Sequence, residues 1–237
     1  MTSIRSNLQQ VHERIATACA RAGRAADSVQ LLAVSKTMPL SSVQDALACG
    51  QTAFGENYVQ EGVQKIEALR AWEAESGGTS AVQWHLIGPL QSNKTRVVAA
   101  SFDWVHSVDR LKIAERLAEQ RPAELAPLQV CIQVNIDGGA SKSGVAPAEV
   151  LALARTIAAL PRLTLRGLMT IPEPASGFAA QRAVHAQARA LFEQVRDAGA
   201  AGPRFDTLSM GMTADLEAAI DAGSTLVRIG TAIFGAR

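Results

Sequence analysis

Short apolar runs alternate with longer stretches of helical periodicity along the whole chain. Eight of these runs, at residues 31–35, 52–55, 83–87, 104–107, 128–136, 163–169, 207–210 and 226–229, are short and branched enough to read as buried strands. Between most of them, as at 41–49, 111–119, 148–159 and 178–198, apolar side chains recur at the three- and four-residue spacing of a helix face. The chain also opens on that spacing, with Ile4, Leu8, Val11, Ile15 and Cys19 separated by polar residues. Eight strands alternating with helices in 237 residues predict an α/β fold, a single (β/α)8 TIM barrel with an extra N-terminal helix. A doubly wound sheet is the rival, but it would carry a glycine-rich turn after its first strand. Lys36-Thr37-Met38-Pro39 occupies that place, and neither GxGxxG nor GxxxxGK[ST] occurs anywhere. The flexible-looking stretches 75–80, 137–145 and 173–177 fall between elements and read as loops, so residues 1–237 are expected to form one domain.

Composition narrows the function. Apolar residues make up 48% of the chain, enough for a large core, and the net charge is +1 with both signs interspersed. Aromatics are only 4%, and no basic stretch carries interleaved aromatics, so no nucleic-acid surface is expected. The three cysteines, Cys19, Cys49 and Cys131, are widely spaced without a CxxC pair, as expected of reduced, buried thiols. No apolar leader and no membrane-length run is visible, and the expected location is cytoplasmic.

The candidate chemistry lies where strands end. Lys36 closes the first run, Glu56-Asn57-Tyr58 follows the second, and His85 sits within the third. Ser107 and Asp109 close the fourth, Asn135 and Asp137 the fifth, and Met169-Thr170 the sixth. Ser209-Met210-Gly211-Met212 closes the seventh, and Arg228-Ile229-Gly230-Thr231 the eighth. In a barrel these ends converge on one face, where active sites are built. A strand-end lysine aimed into a cavity loses solvation and tends toward a neutral amine, a nucleophile for carbonyl compounds, pyridoxal phosphate among them. The alternative is a lysine that merely ends a strand and reaches solvent. Gly211 and Gly230, each opening a helical stretch, allow an anion such as phosphate to approach backbone N–H groups; ordinary turns are the alternative.

Arg228 precedes Gly230 by two residues and shares its side of the strand, which would set a permanent cation beside that pocket. A salt bridge to Asp206 or Glu217 is the competing role. His12 and His185 lie on helical stretches and are expected at the surface, while His85 and His106 are expected as satisfied core histidines. No group of side chains has metal-ligand spacing, and Glu56, Asp109 and Asp137 form no evident acid–base couple.

Several strings are longer and more specific. Leu32-Ala33-Val34-Ser35-Lys36-Thr37, Phe54-Gly55-Glu56-Asn57-Tyr58-Val59-Gln60-Glu61 and Trp84-His85-Leu86-Ile87-Gly88-Pro89-Leu90-Gln91-Ser92-Asn93-Lys94 resemble the pyridoxal phosphate homeostasis protein family. So do Gly167-Leu168-Met169-Thr170-Ile171-Pro172, Leu208-Ser209-Met210-Gly211-Met212 and Val227-Arg228-Ile229-Gly230-Thr231-Ala232-Ile233-Phe234-Gly235. The resemblance implies an alanine racemase N-terminal-domain-like barrel that binds pyridoxal 5'-phosphate (PLP) as a Schiff base on Lys36. It implies phosphate contacts at Ser209, Gly230 and Thr231 and a ring-nitrogen partner at Arg228. Asn57, His85, Met169 and Met210 are expected to complete the cofactor-binding set, with no catalytic or metal-ligating residue.

Three classes of function compete: a non-catalytic binder serving vitamin B6 homeostasis, a PLP-dependent amino-acid racemase-like enzyme, and a sugar-phosphate enzyme using Lys36 as an aldolase-type lysine. The resemblance disfavours the last. A racemase would need a second base on the opposite face, and Tyr58 is the only tyrosine. The expected protein is therefore not an enzyme but a PLP binder, monomeric or weakly dimeric. Apo PLP-dependent enzymes are its candidate partners. Lys142, in the Ser141-Lys142-Ser143-Gly144 loop after the fifth strand, is the next candidate lysine.

Overall fold

The computed structural model describes residues 3–79, 81–139 and 143–235. Strands β1 (Gln30–Val34), β2 (Ala53–Glu56), β3 (Gln83–Leu86), β4 (Trp104–Val108), β5 (Leu128–Val134), β6 (Leu163–Thr170), β7 (Thr207–Ser209) and β8 (Leu226–Ile229) close in sequence order into a barrel. Every pairing is parallel, β8 returning to β1 with Leu32 opposite Arg228. The expected barrel is thus present, with each strand within two residues of its predicted bounds.

Helices α1 (Ile4–Arg21), α2 (Leu40–Leu47), α3 (Val59–Ser76), α4 (Thr95–Ser101), α5 (Leu111–Gln120), α6 (Val150–Ala158), α7 (Phe178–Asp197), α8 (Leu216–Asp221) and α9 (Thr231–Phe234) form the outer layer. The extra helix has a structural task. The helix after β8 is only four residues long, too short to cover its strand. In its place α1 packs against α8, α9 and α2, burying Leu8, Val11, Ile15, Ala18 and Cys19. Its start is capped by Ser3, whose hydroxyl accepts from the Ser6 N–H, and Asn7 Nδ2 donates to the Ile233 carbonyl at 2.8 Å.

Because successive residues of a strand face opposite sides, each strand feeds two cores. Its outward residues join one continuous cluster with the helices. Inside the barrel, Leu32, Val34, Ala53, Ile87 and Leu226 form one apolar group, and Trp104, Cys131 and Met169 form another. Between β5 and β6 the register shifts by one residue, so that Val130 pairs with Leu165 but Cys131 with Gly167, leaving Arg166 as a bulge. Arg166 lies 4.7 Å from the Trp104 ring centroid and binds both carboxylate oxygens of Asp206. Arg14 likewise holds both oxygens of Glu217. Both suggested anchors for Arg228 are therefore occupied by other arginines.

Gly167 shows how tightly β6 and β7 approach. A Cβ added there would sit 1.5 Å from the Thr207 carbonyl oxygen, a backbone atom that can retreat only by parting the strands. Gly167→Ala is accordingly expected to destabilise the fold by about 3 kcal/mol or more, the upper end of overpacking costs. Chemical denaturation would read this. A loss below about 1 kcal/mol would mean that the two strands separate easily.

Candidate functional site

Alternation along the strands builds the cleft at the C-terminal end of the barrel. Leu32 and Val34 face the interior, and two residues further on Lys36 carries the same face beyond the strand end. Ala53 and Gly55 lead in the same way to Asn57, His85 to Ile87, Met169 to Ile171, and Leu226 and Arg228 to Gly230. Lys36, Asn57, Ile87, Ile171, Arg228 and Gly230 all line one cleft of about 310 Å3, which Met212, Thr213 and Thr231 complete. Of the predicted site residues, Lys36, Asn57, Arg228, Gly230 and Thr231 are brought together here. His85, Met169 and Ser209 lie fully buried one pleat lower, beneath the cleft wall. Met210 points outward into the core between sheet and helices, so its side chain does not line the cleft. Ile87, Ile171 and Thr213 stand at the wall without having been singled out. Ile87 and Ile171 were legible from the same two-residue alternation, continued one step past each strand, whereas Thr213 lies four residues beyond β7 in the loop before α8.

Lys36 is partly buried rather than enclosed, and a second lysine supports its backbone. Thr37 adopts a left-handed conformation, φ 64°, unfavourable for a β-branched residue. Its N–H donates to Glu61 Oε1, which also accepts from Lys65 Nζ at 2.7 Å. Lys65, 7% exposed on α3, donates further to the Ser35 carbonyl at 2.7 Å and Glu56 Oε1 at 2.9 Å. Glu56, wholly buried, also accepts from Ser35 Oγ at 2.6 Å. Burial raises the Glu56 carboxyl above its usual range, while Ser35 and Lys65 pull it back. Among the described residues the buried lysine is therefore Lys65, a brace behind the loop that presents Lys36.

Arg228 forms the floor of the cleft. It is 4% exposed, and its Nη1 and Nη2 donate to Ser209 Oγ and the Thr170 carbonyl, each at 2.8 Å. Both partners are neutral. Burial lowers the guanidinium to about 10, offset by the field of Asp215, so it stays protonated at neutral pH. Beneath it, Ser209 Oγ lies 3.0 Å from His106 Nδ1, and His106 Nε2 lies 2.9 Å from His85 Nδ1. Burial holds both imidazoles neutral, His85 down at about 3 and His106 well below its ordinary value.

Across the cleft, the loop before α8 is held by Asp215, whose Oδ1 accepts from the Met212 N–H at 2.7 Å and Oδ2 pairs with His185 Nε2 at 2.8 Å. Burial would raise the Asp215 carboxyl, but these hydrogen bonds outweigh it and lower it. His185, expected at the surface, is 1% exposed, because α7 turns that side inward onto Asp215. His12 is exposed as expected. Thr213 and Thr231 bring their hydroxyl oxygens to 3.4 Å at the mouth, where the first turn of α9 leaves backbone N–H groups outside its helical ladder.

Among the described residues the cleft thus offers an amine, a buried cation bonded only to neutral acceptors, paired hydroxyls, and one unpartnered acceptor, Asn57 Oδ1. The donors suit an anionic ligand carrying a carbonyl group and the free amide oxygen a donor on that ligand, a description that a phosphorylated, hydroxylated pyridine aldehyde meets. Among the described residues, no cluster of His, Cys, Asp or Glu could hold a metal ion, and no helix is long and apolar enough to cross a membrane. Lys142 lies outside the described residues.

The chain matches the family model of the alanine racemase N-terminal domain over residues 6–237. It is 55% identical to the pyridoxal phosphate homeostasis protein of Vibrio cholerae serotype O1, covering all of this chain and 98% of the relative. A crystal structure described as that of an unknown protein from Bifidobacterium adolescentis shares 39% identity and a TM-score of 0.89, over 98% of this chain and 94% of that one. PipY of Synechococcus elongatus PCC7942, solved with PLP bound, shares 37% identity and a TM-score of 0.78, over 93% of this chain and all of that one.

Removing the Lys65 amine tests the brace. Lys65→Met leaves Glu56 buried without a counter-charge, a loss of about 3–5 kcal/mol at pH 8. A carboxyl whose folded pKa is raised favours the folded state below its unfolded pKa and loses that advantage as pH rises through the folded value. Without Lys65 the Glu56 pKa climbs further, so the deficit should shrink as pH falls from 8 toward 5. Denaturant midpoints at both pH values check this, and an equal deficit would show that Glu56 does not depend on Lys65.

Proposed function

The chain belongs to the alanine racemase N-terminal domain family, and within it to the pyridoxal phosphate homeostasis proteins; from this we propose that it binds PLP through Lys36 and carries it without turning over amino acids. One observation carries this reading: the cleft joins an amine to a buried arginine whose hydrogen-bond partners among the described residues are all neutral. PLP, when bound, supplies an aldehyde that condenses with amines and a ring that can withdraw electrons. Lys36 would hold the aldehyde end. Thr213, Thr231 and the N–H groups opening α9 would hold the phosphate. Arg228 would face the ring nitrogen and Asn57 the ring's polar edge.

The same residues argue against catalysis. Arg228 keeps its proton, so a ring nitrogen facing it stays unprotonated, and the ring withdraws electrons weakly. Racemisation needs a base on each face of the substrate carbon. Besides Lys36, the described residues lining the cleft are apolar, amide, hydroxyl or guanidinium groups, none of them a second base near neutrality. Tyr58 stands 58% exposed outside that wall. Cytoplasmic apo-enzymes are the recipients this reading supplies.

Borohydride reduction of PLP-loaded protein, followed by peptide mapping, is expected to place the pyridoxyl group on Lys36. Lys36→Ala should remove the label while the melting temperature stays within a few degrees of the parent. A full label on another lysine sinks the assignment. Thr231→Val removes one hydroxyl but keeps the N–H groups of α9. Charge-assisted hydrogen bonds are worth about 1.5–3 kcal/mol, so PLP affinity should fall roughly ten- to a hundredfold with Lys36 still labelled. Unchanged affinity would move the phosphate elsewhere.

A further inference from the structure

We infer that His106 is a positioning residue for Arg228, holding it through Ser209 by a one-directional array of hydrogen bonds that ends at His85. The direction follows from counting donors. A guanidinium only donates, so Ser209 Oγ accepts from Arg228 Nη1 at 2.8 Å. The Ser209 hydroxyl proton then has one side-chain acceptor within reach, His106 Nδ1 at 3.0 Å. A histidine that accepts at Nδ1 while neutral carries its proton on Nε2, and that proton meets His85 Nδ1 at 2.9 Å. His85 must then be protonated on Nε2, a nitrogen buried without a partner among the described residues.

The opposite arrangement runs from His85 Nδ1–H to His106 Nε2 and from His106 Nδ1–H to Ser209. Ser209 Oγ would then accept two hydrogen bonds, and its own proton would have no acceptor in this group. The forward array leaves one buried polar group unpaired; the reverse leaves two. Since each unpaired buried group is costly, the forward array is selected.

The geometry keeps it rigid. His85 stacks on Trp104 with ring centroids 5.1 Å apart and planes at 9°, and His85, His106 and Ser209 are all fully buried. The Arg228 guanidinium is therefore fixed by two acceptors, Ser209 Oγ and the Thr170 carbonyl, and one of these is oriented by His106. Neither histidine lines the cleft. Their influence on a ligand passes through Arg228, and that consequence rests on the PLP-binding reading, whereas the array itself does not.

Two measurements on the full chain separate these levels. Histidine nitrogen NMR of the labelled wild type, without added cofactor, is expected to show His106 and His85 as neutral rings with hydrogen on Nε2. Hydrogen on Nδ1 of His106, or a doubly protonated ring, overturns the array. PLP titration then compares three variants. His106→Leu removes the acceptor and should weaken PLP binding about tenfold, the loss of a hydrogen bond's worth of orientation. His106→Asn offers an amide oxygen near the Nδ1 position and should recover most of that loss. His106→Gln places its amide nearer His85 and should not. Equal affinities for the Leu and Asn variants would reduce His106 to a packing residue and overturn the positioning role. If wild type takes up no PLP, the functional reading fails, and the tautomer spectrum still decides the array.

Discussion

Closing eight parallel strands into a barrel forces every second side chain inward, and the rest of this molecule follows from that constraint. The interior has room for only a few layers, so what stands at one strand position dictates what can stand beside it on the next. Here the layer beneath the cleft is polar: His85, His106, Ser209 and Arg228 form it, packed against Trp104, Cys131 and Met169. One step further along the strands, the same alternation delivers Lys36, Asn57, Ile87, Ile171 and Gly230 to the cleft. The site and its support are thus successive pleats of the same strands. That relation sets the Arg228 floor on β8 and Lys36 in the turn directly after β1, a turn braced from behind by Lys65.

A polar layer inside a barrel must largely satisfy itself, and this one does so around a single permanent charge, leaving His85 Nε2 as the one member of the array unpaired among the described residues. Neutral histidines and a serine can pass hydrogen bonds in one direction only because Arg228, which cannot accept, fixes the starting point. Among the described residues the guanidinium is bonded to no carboxylate, and this is costly for the protein alone. A ligand that brings negative charge into the cleft relieves that cost, so the electrostatics of the floor favour occupancy. Lys65 shows the opposite solution: a buried ammonium saturated by the Ser35 carbonyl, Glu56 and Glu61, with no claim on a ligand. Two lysines near one strand end therefore differ in role because one is enclosed by acceptors and the other borders the cleft.

Much of this was legible in the chain. The strand runs, the opening helix and the role of strand ends as a common face all followed from periodicity, since period two and period 3.6 are imposed by backbone geometry. Lys36, Asn57, Arg228, Gly230 and Thr231 sit at the ends of such runs and share the cleft. Depth was harder to read. His85, Met169 and Ser209 sit one pleat below the wall, because the strand ends alone do not reveal how far each strand rises around a staggered barrel. Helix α3 was not singled out, and its inward face shows why: Gly62 and Lys65 interrupt the apolar stripe of Val59, Ile66 and Leu69. His185 looked like a surface residue because a lone histidine on a polar helix gives no sign of its partner. Asp215 lies 30 residues further along the chain, and only the fold brings it within 2.8 Å.

The central claim is that this barrel carries a reactive cofactor while its residues provide no catalytic cycle. The most direct measurement loads the protein with PLP and mixes it with the apo form of a PLP-dependent enzyme and optically pure L-alanine. Cofactor absorbance on this protein, activity of the recipient and chirality of the alanine are then followed together, the last also without the recipient. The account predicts that cofactor leaves in step with recipient activation, while alanine exposed to the loaded protein alone stays optically pure. Racemisation or consumption of alanine by the loaded protein alone, at more than roughly 1 s⁻¹, the low end for ordinary enzymes, would contradict it.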